Sequence, residues 1–131
     1  MNLTSTDIKD MLLADSSLGL VFGDNLNIGQ EPETPDNCVT IFDTTGRPPQ
    51  LTLDGINDYY YPSVQIRVRN NSYLTGATLA HNIMVYLHGR EHETWNSTLY
   101  TLIQCMGEPF LLDWSNNKAR FVINFDIQRR T

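Results

Sequence analysis

PSVQIRVRN at residues 62–70, running into NSYLTGATLAHNIMVYLHG at 71–89, is the stretch that decides the fold. Val64, Ile66 and Val68 alternate with Gln65, Arg67 and Arg69, the period of two that marks a strand with one buried face and one wet or partner-facing face. Asn70, Asn71 and Ser72 break the strand, and the Ser72 hydroxyl is placed to accept a hydrogen bond from the orphan backbone donors of a helix beginning at Tyr73. Gly89 ends that helix, because glycine tolerates the left-handed backbone common just past a helix C-terminus. Leu74, Ala77, Ala80, Ile83, Met84, Val85 and Leu87 spread over roughly half of the helix surface, leaving Thr75, Thr78 and Asn82 as a polar strip. One sheet covers a narrower stripe than that. A second cover is therefore expected, either another helix of the chain or a neighbouring subunit.

Working outward, residues 3–15 read as an amphipathic helix. Thr4 and Asp7 have the spacing of a capping box, Leu3 and Ile8 that of a hydrophobic staple, and Ile8, Met11 and Leu12 form the apolar stripe. Residues 19–22 suggest a short strand. Residues 23–37 are loop chemistry with an acidic tip at Glu31, Glu33 and Asp36, and the acids lack the spacing of a calcium loop. Residues 38–43 form a compact strand. The 18-residue connection 44–61 carries Gly46, Pro48, Pro49 and Gly55 and ends in Tyr59, Tyr60 and Tyr61. Three adjacent tyrosines cannot all enter one core, so this arm either meets another chain or lays its rings on its own subunit.

Beyond the central helix, residues 90–96 are polar. Residues 98–106 form a strand with Leu99, Ile103 and Cys105 on one face and Tyr100, Leu102 and Met106 on the other, as suits a position inside a sheet. Residues 110–114 and 118–129 make a hairpin joined by Ser115, Asn116 and Asn117, and Phe121, Ile123, Phe125 and Ile127 alternate with Asn124, Asp126 and Gln128. The expected fold is a single α+β domain over residues 1–131. It has a mixed, mostly antiparallel sheet of about five strands, flanked by two main helices, with a long hairpin-like loop.

Composition excludes several function classes. Fifteen acids against nine bases give a net charge of −6, which argues against a domain that grips nucleic-acid phosphates. No apolar run is long enough to span a membrane, and residues 1–6 lack the pattern of a signal peptide, so a cytoplasmic setting is expected. Cys38 and Cys105 both fall in strands and read as buried free thiols. His88 and His92 have ligand spacing, but Gly89 interrupts the helix between them; His81, Cys105 and Asp113 could be drawn as a triad, but no local signature supports one. No catalytic, cofactor or metal residue is assigned. The basic doublets are Arg67 with Arg69 and Arg129 with Arg130, read either as solvated charges or as inter-subunit partners of acidic loops.

NCVTIFDT at 37–44, GRPP at 46–49, YPSVQIRVRNNSY at 61–73 and GEPFLLDWSNNKARFVINFDIQRR at 107–130 resemble, in that order, the tail terminator proteins of long-tailed bacteriophages, also called minor capsid proteins. The resemblance spans about the whole chain. It implies a non-enzymatic virion subunit that forms a six-membered ring, caps the tail tube, stops its growth and offers a docking face to the head completion or connector protein. The implied partners are the chain itself and the tail tube protein, with DNA passing through the lumen without specific binding, no cofactor and no membrane. Assembly is expected in the host cytoplasm. Candidate interface residues are Arg47, Tyr59, Tyr60, Tyr61, Arg67 and Arg69. The alternatives are another head-tail connector component, such as a head completion protein or a tube subunit, or a small thiol enzyme using Cys38 or Cys105.

Overall fold

A computed structural model describes residues 1–53 and 58–131 of the chain. Gly55, assigned above to the long connection, lies outside the described residues. The elements are α1 (Thr4–Leu13), a single 3-10 turn (Ser16–Leu18), β1 (Leu26–Ile28), β2 (Cys38–Gln50), β3 (Tyr59–Asn70), α2 (Tyr73–Leu87), β4 (Glu93–Trp95), β5 (Thr98–Cys105), β6 (Phe110–Ser115) and β7 (Lys118–Arg130). The sheet order is β1-β2-β3-β7-β5-β4. Along the edge of β7 that faces away from β3, β6 takes the N-terminal half and β5 the C-terminal half. β1 runs parallel to β2 and every other pairing is antiparallel, so the α+β class stands.

The register of β3 on β7 places Val64 opposite Phe125, Ile66 opposite Ile123 and Val68 opposite Phe121. All six side chains are buried, as the alternation predicts. α1 contributes Ile8, Met11 and Leu12 to this core, and α2 contributes Ala80, Ile83 and Leu87. The two helices lie on the same face, where the Tyr86 hydroxyl donates to the Met11 carbonyl at 2.7 Å. α2 begins as its sequence dictates, with the Thr75 N–H donating to the Ser72 hydroxyl, and Gly89 follows it at φ +83°. No helix among the described residues is long and apolar enough to cross a membrane.

The strand count is seven where about five were expected, because β1 and β4 have only three residues each and carry no readable period. β4 arises within the polar stretch 90–96 because Asn96 and Ser97 both adopt positive φ, the backbone of a tight hairpin turn, and pair it with β5. Asn116 and Asn117 make the same kind of turn between β6 and β7. The strand expected at 19–22 does not form: Phe22 makes only an isolated bridge to Leu26. The two-sided reading of β5 also changes. The register slips between Tyr100 and Leu102, and this bulge turns both Tyr100 and Ile103 inward.

The capping box at Thr4 is absent, and so is the staple. Leu3 is the N-cap without a side-chain bond and is exposed, while the Ser5 N–H donates to the Asp43 carboxylate of β2, so the cap comes from a distant strand. Asp7 is free to turn inward, where it is fully buried. It accepts from the Tyr100 hydroxyl and from Asn96 Nδ2 at 2.7 Å, with Arg129 Nη1 3.8 Å away. Arg129 Nη1 also donates to the Asn2 carbonyl and to the Tyr100 oxygen. Burial, reinforced by the hydrogen bond to Asp7, holds the Tyr100 hydroxyl protonated well above the ordinary tyrosine range. This cluster fastens α1 to β5 and β7. Asp7→Ala leaves Arg129 without its buried carboxylate and is expected to cost about 3–5 kcal/mol, with Asp7→Asn milder, in urea unfolding.

Candidate assembly surfaces

The long connection is a two-stranded arm. β2 and β3 stay paired out to Arg47 with Tyr61 and Gln50 with Tyr59, with irregularities after Thr44 and after Arg47. Pro48 and Pro49 fall where the pairing skips, which is where strand prolines, lacking an N–H, are tolerated. β1 stops opposite Ile41, so the outer edge of β2 has no strand neighbour beyond that residue. Gly46 is required sterically: a Cβ there would stand 1.9 Å from the Tyr61 carbonyl oxygen and 2.8 Å from the Pro62 Cα.

The three tyrosines are all half-buried and rest on their own subunit. The Tyr61 hydroxyl donates to Gln50 Oε1 at 2.9 Å, and the Arg47 guanidinium lies 4.3 Å from the Tyr61 ring centre. Arg130 approaches the Tyr59 ring at 5.8 Å, and Tyr60 sits opposite Arg129 on the helical side of the sheet. Arg47 itself is exposed. Among the described residues of the arm the most exposed apolar ones are Leu51 and Leu53, at 79% and 111%. Sequence reasoning passed over this pair. The available signal was two leucines flanking Thr52 in a proline-rich connection, and leaving them in water forgoes about 1.5–3 kcal/mol of burial each.

The two arginines of β3 differ. Arg67 is half-buried on the sheet face away from the helices, where its Nε donates to Gln65 Oε1 at 2.8 Å and its guanidinium lies 4.8 Å from the Phe42 ring centre. On the same face Gln65 donates to Asn124 and Ser63 to Asp126. Arg69 corrects the expectation of a wet or partner-facing residue. It is only 9% exposed and donates to Glu31 Oε1 and to the backbone carbonyls of Glu33, Pro35 and Asp36. Of the acidic loop, Glu31 is therefore ion-paired within its own subunit while Glu33 stays exposed: Glu31 also receives Arg120, Arg120 grips both oxygens of Asp113, and Lys118 reaches Asp36. Among the described residues no group of three or more His, Cys, Asp or Glu could hold a metal ion. Cys38 and Cys105 are both free; burial pushes the Cys38 thiol up, and Cys105 is half-buried rather than buried.

A second open surface lies on the helical side. α2 has no second cover along its outer ridge, where Leu74 and Val85 are 76% and 60% exposed. On one flank, Tyr73, Ala77 and His81 face Pro109 and Phe110 across a groove of about 400 Å³ floored by Phe121. Tyr73 packs edge-on to Phe121 at 5.2 Å and stacks on Trp114 at 6.2 Å. Gly76 brings α2 down onto the sheet, since a Cβ there would stand 3.0 Å from the Phe121 ring.

These features define a small α+β fold whose described polar clusters hold its own loops and helices in place and whose surface also exposes apolar residues on the arm and beside α2. The sequence matches the family of bacteriophage tail terminator proteins over residues 7–130. The chain belongs to that family and is a structural protein of a phage tail. Comparison with curated proteins gives no match. Among solved structures, a chain of the virion of a native gene transfer agent particle shares the fold, with a TM-score of 0.69 at 12% identity over 98% of this chain and 95% of that one.

Two outcomes test the local architecture. Glu31→Gln removes the charge shared by Arg69 and Arg120 and one of the two oxygens that accept from them, and is expected to lower the thermal midpoint clearly more than Glu33→Gln at the neighbouring exposed position. Gly46→Ala forces the arm strands apart, so limited proteolysis is expected to cut within residues 44–61 faster than in the unmodified protein.

Proposed function

We propose that this chain is the subunit of a homo-oligomeric ring, a hexamer as the resemblance implies, that caps the tail tube, ends its elongation and presents a docking face to the head completion or connector protein. The observation that carries this reading is the end of the β2–β3 hairpin, where Leu51 and Leu53, just past the last paired residue Gln50, are held in water. A monomer gains nothing from that exposure, whereas a ring subunit needs two unlike patches. The groove beside α2 supplies the second. Membership of the tail terminator family supports the capping role. The net charge of −6 suits a channel through which DNA slides without sticking.

In this reading the particle is assembled in the host cytoplasm and ends in the virion, at the junction of head and tail. Arg47 and Tyr59 to Tyr61 belong to the arm that meets the tube or an adjacent subunit, and Arg67 to the ring wall. No catalytic role falls to Cys38 or Cys105.

Deleting residues 48–57, which keeps the β2–β3 ladder out to Arg47 and Tyr61, is the direct test. The expected outcome is tails of irregular length that fail to join heads, counted by electron microscopy, from a variant whose circular dichroism matches the parent. Tails of normal length joined to heads overturn the assignment. Added to preformed tubes, the purified protein is expected to form one cap at one end, whereas polymerisation into new tubes would identify a tube subunit instead.

A further inference from the structure

We infer that the end of the arm of one subunit, through Leu51 and Leu53, seats in the groove between α2 and β6 of the next copy of the same chain. The inference rests on the ring reading above and names the contact that closes the ring.

The arm cannot fill its own groove. Tyr60 and Val68 of β3 stand opposite Arg129 and Phe121 of β7, so the base of the arm and the floor of the groove are separated by eight residues of strand, about 26 Å. The arm projects from the Tyr59 end, away from Phe121. The groove of one subunit is therefore out of reach of its own arm and open to that of another copy.

Shape and chemistry favour a second copy. Tyr73, Ala77 and His81 recur every four residues along one flank of α2, a stripe about 12 Å long. On the arm, Arg47 and Leu51 are four residues apart, at most about 13 Å if the chain is extended past the end of β2 at Gln50. The Tyr73 end of the groove is aromatic, with Phe121 below and Trp114 stacked on Tyr73. The other end carries His81 and Glu108. With Leu51 and Leu53 at the aromatic end, Arg47 reaches the acidic end. Among the described residues neither Arg47 nor Glu108 has an ion pair, although Arg120, Arg69, Arg90 and Lys118 all do. Arm and groove are unlike patches at opposite ends of one sheet, so the contact is head-to-tail, the kind that closes into a ring when the rotation permits.

The test is cysteine cross-linking in the full chain carrying Cys105→Ser. Leu53→Cys and Ala77→Cys together are expected to give, under mild oxidation, a ladder of covalent oligomers up to the complete ring. Either change alone is expected to give none, and an equal mixture of the two single variants is expected to give the first step of the ladder. Leu53→Asp, at a fully exposed position that folding does not use, is expected to weaken self-association about tenfold or more. Rings visible by electron microscopy, alone or on tubes, without the cross-link overturn this contact and leave the ring reading standing. A cross-link that forms only to the tube protein overturns it in favour of the tube as occupant. A protein that stays monomeric even on tubes overturns both.

Discussion

The constraint on which the structure depends is the pairing of β3 with β7. It sets Val64 on Phe125, Ile66 on Ile123 and Val68 on Phe121, and these pairs form the floor on which both helices rest. A one-residue slip would turn every one of these side chains to the opposite face. The long free edge of β7 then accommodates two strands end to end, β6 and β5, which is how a chain of this size makes a broad sheet with one layer of helices. Gly76 lets α2 approach that floor at the point where Phe121 rises from it.

Among the described residues three charged ones, Asp7, Arg69 and Arg129, are buried. Asp7 and Arg129 join the first helix to the last strand, and Glu31 joins Arg69 and Arg120 across the end of the sheet. Desolvating such groups is unfavourable unless each finds its partner, and their benefit is to specify where α1 and the 31–37 loop settle. The consequence for function is negative and informative. Asp7, Glu31, Arg69, Arg120 and Arg129 are engaged within the subunit, whereas Arg47 is not ion-paired among the described residues, and the exposed apolar surface includes Leu51, Leu53, Leu74, Val85 and the aromatic groove beside α2. A structural tail protein needs that kind of surface, because its partners are other proteins.

The arm shows how one sterically forced glycine shapes such a surface. Strands that pass as closely as Gly46 and the Tyr61 carbonyl stay paired despite two prolines, out to Gln50 and Tyr59 at the end of the hairpin. The tyrosines at its base stiffen the ribbon by resting on Arg47, Gln50 and Arg130. The leucines beyond them are left to face whatever the ribbon reaches.

The sequence by itself determined the features that repeat locally. Those were the alternation in β3 and β7, the Ser72 cap and Gly89 end of α2, the Asn-rich turn before β7, the α+β class, and the ordered motifs that resemble the tail terminator family. Only the tertiary structure decided features that depend on residues far apart in the chain. Asp43 caps α1 and so releases Asp7 from its capping box to bind Tyr100; a bulge in β5 puts Tyr100 and Ile103 on one side; Arg69 finds Glu31 across 38 positions of sequence. The physical reason is that periodicity and turn chemistry act over a few residues, whereas the burial of a charge or the exposure of a leucine is settled by which distant segment arrives to meet it.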